Sequence, residues 1–194
     1  MVIVEYLFRW MCHQLPSRSP QWDGVVFPLC WRCAGLHLGL LASYVYLAAS
    51  GGWRRRLPEV RYVIGTALLT LPLAIDGGAN ALSLWSSPGW IRALTGLGVG
   101  MVLPLLLVPL TLHSAKAPSV AIAPTLSHGA ALLWPTAIGC AGIWLLVQPH
   151  SLLIFRSLAV AVAMATVLCL VHLLLAVLAW CDEQRGRVQH ASQT

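Results

Sequence analysis

The chain has 194 residues, of which 58% are hydrophobic and only 9% charged, and its mean hydropathy is +0.77. Ordinary soluble domains carry about a quarter charged residues, so this balance points to lipid as the solvent. The formal net charge of +6 is spread over the ends of apolar runs and gathers on no polar segment, which argues against nucleic acid as a partner. Such a length suits one compact all-α bundle and leaves no room for a separate soluble domain.

Residues 1–11 are apolar but interrupted by Glu5 and Arg9, and they are too short to span a bilayer. They lack the basic start and small-residue cleavage site of a signal peptide. A short interfacial helix carrying Trp10 is the expectation, within an N-terminal cysteine- and histidine-bearing segment over 1–26. Five stretches of about 20 apolar residues then follow, the length a helix needs to cross. They are placed at 27–49, 62–85, 91–112, 128–147 and 157–180, with a tail over 181–194. Ser50-Gly51-Gly52 ends the first, and Ser86-Ser87-Pro88-Gly89 joins the second to the third. A loop containing Pro118 and Pro124 precedes the fourth, and Gln148-Pro149-His150 precedes the fifth. Trp22, Trp85, Trp90, Trp144 and Trp180 fall near span ends, where interfacial aromatics belong. Pro72, Pro104, Pro109 and Pro135 lie inside spans and predict kinks or local unwinding.

Alternate sides of the bundle collect different cations. One holds Arg54, Arg55, Arg56, Arg61, Lys116, Arg185 and Arg187; the other holds Arg9, Arg18, Arg32, Arg92 and Arg156. The Arg54-Arg55-Arg56 run sits in a short loop, where the positive-inside rule has most force. The N-terminus is therefore expected outside, and the C-terminus inside, the inner (cytoplasmic) membrane.

Three features carry chemistry. Cys12 and His13 precede Cys30-x-x-Cys33, and on a helix Cys30, Cys33 and His37 share one face. If the first segment folds back, Cys12, Cys30 and Cys33 with His13 or His37 make a thiolate–imidazole set of the kind zinc accepts. Magnesium and calcium suit such soft donors poorly. The same thiols also fit a structural disulfide or a redox pair, and cysteines also occur as inert small hydrophobes, as Cys140 and Cys169 are read here. Second, Asp76 with Asn80 one turn on lies inside a span, where a carboxylate needs a partner. Asp76 falls toward the cysteine-bearing side, and Arg92 is its expected ion-pair partner. Third, Gly96, Gly98 and Gly100 are spaced for close helix approach. His172 and Cys169 share a face of the last span, where a hydrogen bond to a neighbouring helix is expected; His128 and His150 sit at span ends. No phosphate-binding glycine loop, dinucleotide fingerprint or His-Glu-x-x-His pair is present.

The ordered set Cys12-His13-Gln14-x-Pro16-x-Arg18-Ser19, Pro28-x-Cys30-x-Arg32-Cys33-x-Gly35 with Gly39, Asp76-Gly77, and Arg92-x-x-Thr95-Gly96 with Gly100 resembles a known family. It is the uncharacterised prokaryotic multi-pass membrane family called domain of unknown function 2085. The resemblance covers roughly the first half of the chain. It implies a membrane bundle that brings the cysteine, histidine, aspartate and arginine positions together, and it supplies no activity. Three departures stand out: His37 replaces an aromatic residue, Asn80 replaces glutamine, and Ser87-Pro88-Gly89 replaces an asparagine-rich stretch ahead of Arg92.

Three functions are compatible with these residues. In the first, Cys12, His13, Cys30, Cys33 and His37 hold zinc while Arg18, Arg32, Asn80 and Arg92 bind an anionic, lipid-like group, with Asp76 as candidate base. In the second, Cys30 and Cys33 pass electrons to a quinone in the bundle, with Cys12 as the shuttle partner. The third is a non-enzymatic accessory role beside other membrane subunits or a second copy of the chain.

Overall fold

The computed structural model describes residues 2–50, 64–65, 67–112, 130–148 and 151–191. Among the described residues six α-helices dominate: α1 (Val2–Arg9), α2 (Trp31–Ala49), α3 (Leu71–Ala81), α4 (Gly89–Leu112), α5 (Ala130–Val147) and α6 (Leu152–Ala191). Between α1 and α2 lie a one-turn 3-10 segment, Pro16–Arg18, and a two-stranded hairpin of β1 (Gln21–Trp22) and β2 (Val25–Val26). In that hairpin Gln21 pairs with Val26 and Trp22 with Val25, antiparallel. Its turn, Asp23-Gly24, has φ of 47° and 73°, the two positive values that a tight primed turn demands. Asp-Gly is the strongest short hairpin signal, and the hairpin is an addition to the interfacial helix expected within residues 1–26.

Helix α2 is the axis of the bundle, packing on α4, α5 and α6. Its seam with α4 explains the small-residue pattern. A methyl group at Gly39 would lie 2.5 Å from Leu97 O and 2.7 Å from Met101 N; one at Gly100 would lie 2.7 Å from the Leu36 carbonyl carbon. Only hydrogen fits there, so the glycines are packing residues, as expected. Ser43 Oγ donates to Met101 O at 2.9 Å and ties the same seam by a side-chain bond. Where α1 and the hairpin loop meet the bundle, Phe8, Phe27, Leu29, Leu97 and Phe155 form a buried cluster, Phe27 meeting Phe155 edge-on at 5.2 Å.

The outer surface is as apolar as the core: Leu133, Leu153, Met164, Leu174 and Leu178 are all exposed. A helix that is apolar all round has lipid for a neighbour. Gly89–Val108 and Leu152–Asp182 are each long and apolar enough to cross a bilayer, and Leu132–Val147 is a shorter apolar stretch.

Several boundaries differ from expectation. The second span was expected as one helix over 62–85, yet the chain turns at Leu69 and Thr70 before α3 begins. Pro72 sits in the first turn of α3, where its missing N–H has no intrahelical partner to lose, so the proline starts a helix here instead of kinking one. Ser83, at φ 57°, then ends α3 short of Trp85. Helix α4 runs unbroken through Pro104 and Pro109. Helix α6 begins before and ends after the expected 157–180. The run Arg54, Arg55, Arg56, with Arg61, Lys116, Pro118, Pro124, His128 and His150, lies outside the described residues, and so does most of the expected orientation signal.

Candidate metal centre

The site is built by a fold-back. Helix α1 closes with Met11 and Cys12 N–H both donating to Phe8 O, at 3.0 and 2.9 Å. The chain then reverses at Gln14, whose φ is 49°. Gln14 is the clasp: its amide donates to Glu5 O (2.9 Å) and to Pro28 O (3.1 Å), tying α1 to the bend that leads into α2. Ser19 Oγ donates to Leu15 O (3.0 Å) and Gln21 Nε2 to Pro16 O (2.6 Å), which stiffens the intervening turn. Cys30 is the N-cap of α2, in extended conformation, and Ala34 N–H donates to its carbonyl at 2.7 Å.

As a result Cys12, Cys30 and Cys33 converge, with their sulfurs all within 4.8 Å of one another. All three are free thiols. Cys12 is buried and accepts the backbone N–H of Cys30 at 3.3 Å, so a sulfur occupies the N-terminus of α2 where negative charge is favoured. The Cys30 thiol, then the Cys33 thiol, donates to it, and together they hold Cys12 well below the ordinary thiol range against the opposing effect of burial. The arrangement is a preformed soft-donor triad with its lowered thiol at Cys12.

Neither histidine expected in the ligand set joins that group. His37 lies on the predicted face of α2 but is committed elsewhere. Its Nδ1–H donates to Cys33 O at 2.7 Å, which places the lone pair on Nε2, and Nε2 is buried without a hydrogen-bond partner. Phe8 packs edge-on against its ring at 5.3 Å, so His37 helps to seat α1. His13 is exposed at the rim of a cavity of about 340 Å³ that opens on the thiols and is also lined by Arg18 and Arg32.

Beside the triad runs a polar network. Arg32, on the first turn of α2, forms an ion pair with Asp76 of α3, whose side chain is only 3% exposed. The expected Asp76–Arg92 pair is thus corrected. A helical side chain leans toward the N-terminus of its own helix, and Arg32 thereby reaches α3. Arg92 is taken up by neutral oxygens instead, donating to Asn80 Oδ1 (2.8 Å) and Ser87 Oγ (3.1 Å). Asn80 Nδ2 in turn donates to Ser87 Oγ and Asp76 Oδ1, both at 3.1 Å. Trp85 Nε1–H reaches Asp76 Oδ1 at 3.4 Å, so this tryptophan, read as an interfacial aromatic, is also a network donor. The Asp76 carboxylate is fully engaged. Gln14, Ser87 and Trp85 were not singled out as site residues; for Gln14 the signal was its place directly after Cys12-His13.

Elsewhere, His172 Nδ1 lies 3.3 Å from Tyr44 Oη on α2, the interhelical bond expected of it, and also contacts Leu168 O at 2.9 Å. Cys140 and Cys169 pack among apolar residues of the core, as expected of small hydrophobes.

Comparison with known proteins agrees with the motif pattern. A family model described as predicted membrane protein (DUF2085) matches residues 12–106, which carry the whole triad and network. An uncharacterized protein of Methanothermobacter thermautotrophicus is 35% identical over 113 residues, covering 55% of this chain and 95% of that protein. The chain belongs to this membrane family. An uncharacterized protein of Methanocaldococcus jannaschii is 26% identical over 107 residues, covering 54% of this chain and 65% of its own length. No solved structure matches. The family match ends within α4, so α5 and α6 lie beyond it.

Proposed function

We propose that this membrane protein holds a thiophilic metal ion, zinc, on Cys12, Cys30 and Cys33. The observation that carries the reading is the convergence of three sulfurs from two chain segments 18 residues apart, around a single point. Thiolates select zinc over hard cations, and three of the four tetrahedral positions are supplied. In this reading α2, α4, α5, α6 and the segment containing α3 cross the inner membrane, and the centre lies at the exoplasmic end with the N-terminus outside. Asp76 anchors Arg32 beside the metal, and His37 orients the Cys33 turn. Metal analysis of the purified protein tests it. About one zinc per chain is expected in the native protein and none in Cys30→Ser/Cys33→Ser; a native protein that retains none under reducing conditions ends the reading.

A second reading follows from the Cys12 thiolate. A thiolate beside two thiols can close a disulfide: the Cys12 thiolate and one neighbouring thiol give up two electrons and one proton to a quinone, which takes its second proton from water to become the quinol. Thiol trapping at defined potentials separates the two: a zinc-bound triad resists alkylation until chelator is added, whereas a redox pair cycles without it.

A further inference from the structure

We infer that the cavity over the triad binds a phosphoryl group, held by Arg18 and Arg32 with one oxygen in the metal's fourth position. The inference rests on the metal-centre reading and names the ligand class of that site. Four observations lead to it. The described residues place three sulfurs at the centre and no fourth donor among them, the pattern of metal sites that admit an outside ligand. The cavity there, about 340 Å³, has the size of a small-ligand pocket, and its lining contains two guanidinium groups and an imidazole but no carboxylate. Arg32 donates to Asp76 through one amino group, and its Nε is buried with no hydrogen-bond partner, so this cavity-lining guanidinium carries an unmet donor. Finally, the N-cap N–H of α2, that of Cys30, donates to Cys12 Sγ, so the positive end of that helix lies at the triad.

Oxygen count selects phosphoryl over carboxylate. The ligand must serve Arg18, Arg32 and the metal together. A carboxylate must share one of its two oxygens among these three partners, whereas a phosphate monoester presents an unshared oxygen to each, and a guanidinium fork matches such an edge. Cavity residues Met11 and Leu15, with Trp10 exposed nearby, give the rim an apolar side, so both a lipid headgroup and a soluble phosphate can supply this chemistry.

The test uses the full chain in phosphate-free maltoside micelles, loaded with cobalt(II) as a spectroscopic stand-in for zinc. Inorganic phosphate is titrated in one arm and phosphatidic acid in the other, while the cobalt visible band and the phosphorus NMR linewidth are followed. A band shift with paramagnetic broadening of the added phosphorus is expected in at least one arm. A response to phosphatidic acid alone identifies the membrane as the source; a response to inorganic phosphate identifies a soluble ligand. Arg18→Gln should raise the half-saturating concentration about tenfold without changing cobalt affinity, since one charge-assisted contact is lost. Arg9→Gln, an exposed arginine outside the cavity lining, should change neither. If cobalt binds and neither arm responds, the inference is overturned while the metal centre stands. If cobalt does not bind, the metal reading falls; phosphate retention by the metal-free protein in equilibrium dialysis then decides the arginine half, and none overturns it.

Discussion

Gly39→Ala is the sharpest test of how α2 is positioned. The added methyl would meet Leu97 O at 2.5 Å, Met101 N at 2.7 Å and the Gly100 carbonyl carbon at 2.9 Å. All three are backbone atoms of α4, so no side chain can swing aside. Ordinary contact begins near 3.4 Å, so the two helices must separate by about 0.9 Å. That movement also stretches the Ser43–Met101 bond, now 2.9 Å, beyond useful length. Overpacking of about 1–3 kcal/mol and the loss of about 1 kcal/mol of hydrogen bonding give a destabilisation of roughly 2–4 kcal/mol. Gly78→Ala is the control: nothing lies within 4 Å of its added methyl, and alanine in a helix interior gains about 0.5–1 kcal/mol over glycine. Reversible unfolding in mixed maltoside and dodecyl sulfate micelles should move the two variants in opposite directions. Equal shifts, or a neutral Gly39→Ala, would refute the backbone seam.

Zinc binding near neutral pH should release fewer than three protons per ion, because the depressed Cys12 thiol is already ionised. Affinity should then fall less than a thousandfold for each pH unit of acidification; a buffered-indicator titration that counts three protons would show that Cys12 is not preformed as a thiolate. Gln14→Leu removes both clasp bonds, so zinc affinity in a chelator competition should drop about tenfold or more while the unfolding midpoint of the bundle stays put. An unchanged affinity would mean that Cys12 is held by other contacts. Asp76→Asn and Arg32→Met should each destabilise by about 1–3 kcal/mol, below the figure for a fully buried pair because Arg32 is 30% exposed. A double-mutant cycle should return a coupling of about 1 kcal/mol or more, and strict additivity would dissolve the proposed pair.

Membrane character, the all-α class and the close-packed glycines were legible in the chain because each depends on local composition or spacing. The cysteine grouping was legible too, although spacing put metal only narrowly ahead of a disulfide or redox pair. What spacing missed was partner choice. Asp76 was matched with Arg92, the nearest cation in sequence on the same side, whereas Arg32 on the adjacent helix takes it. His37 was counted a ligand from its helical phase, but a bond to the carbonyl one turn back decides which ring nitrogen is free.

Residue type and period sufficed for what lipid demands: long apolar helices, charges at their ends, small residues where backbones touch. Only the tertiary structure decided that the reversal at Gln14 carries the Cys12 sulfur onto the first turn of α2, and that the ion pair bridges α2 and α3. Those outcomes depend on the rotation of each helix about its axis and on one non-helical turn, which hydrophobic periodicity leaves free because several rotations bury the same apolar area.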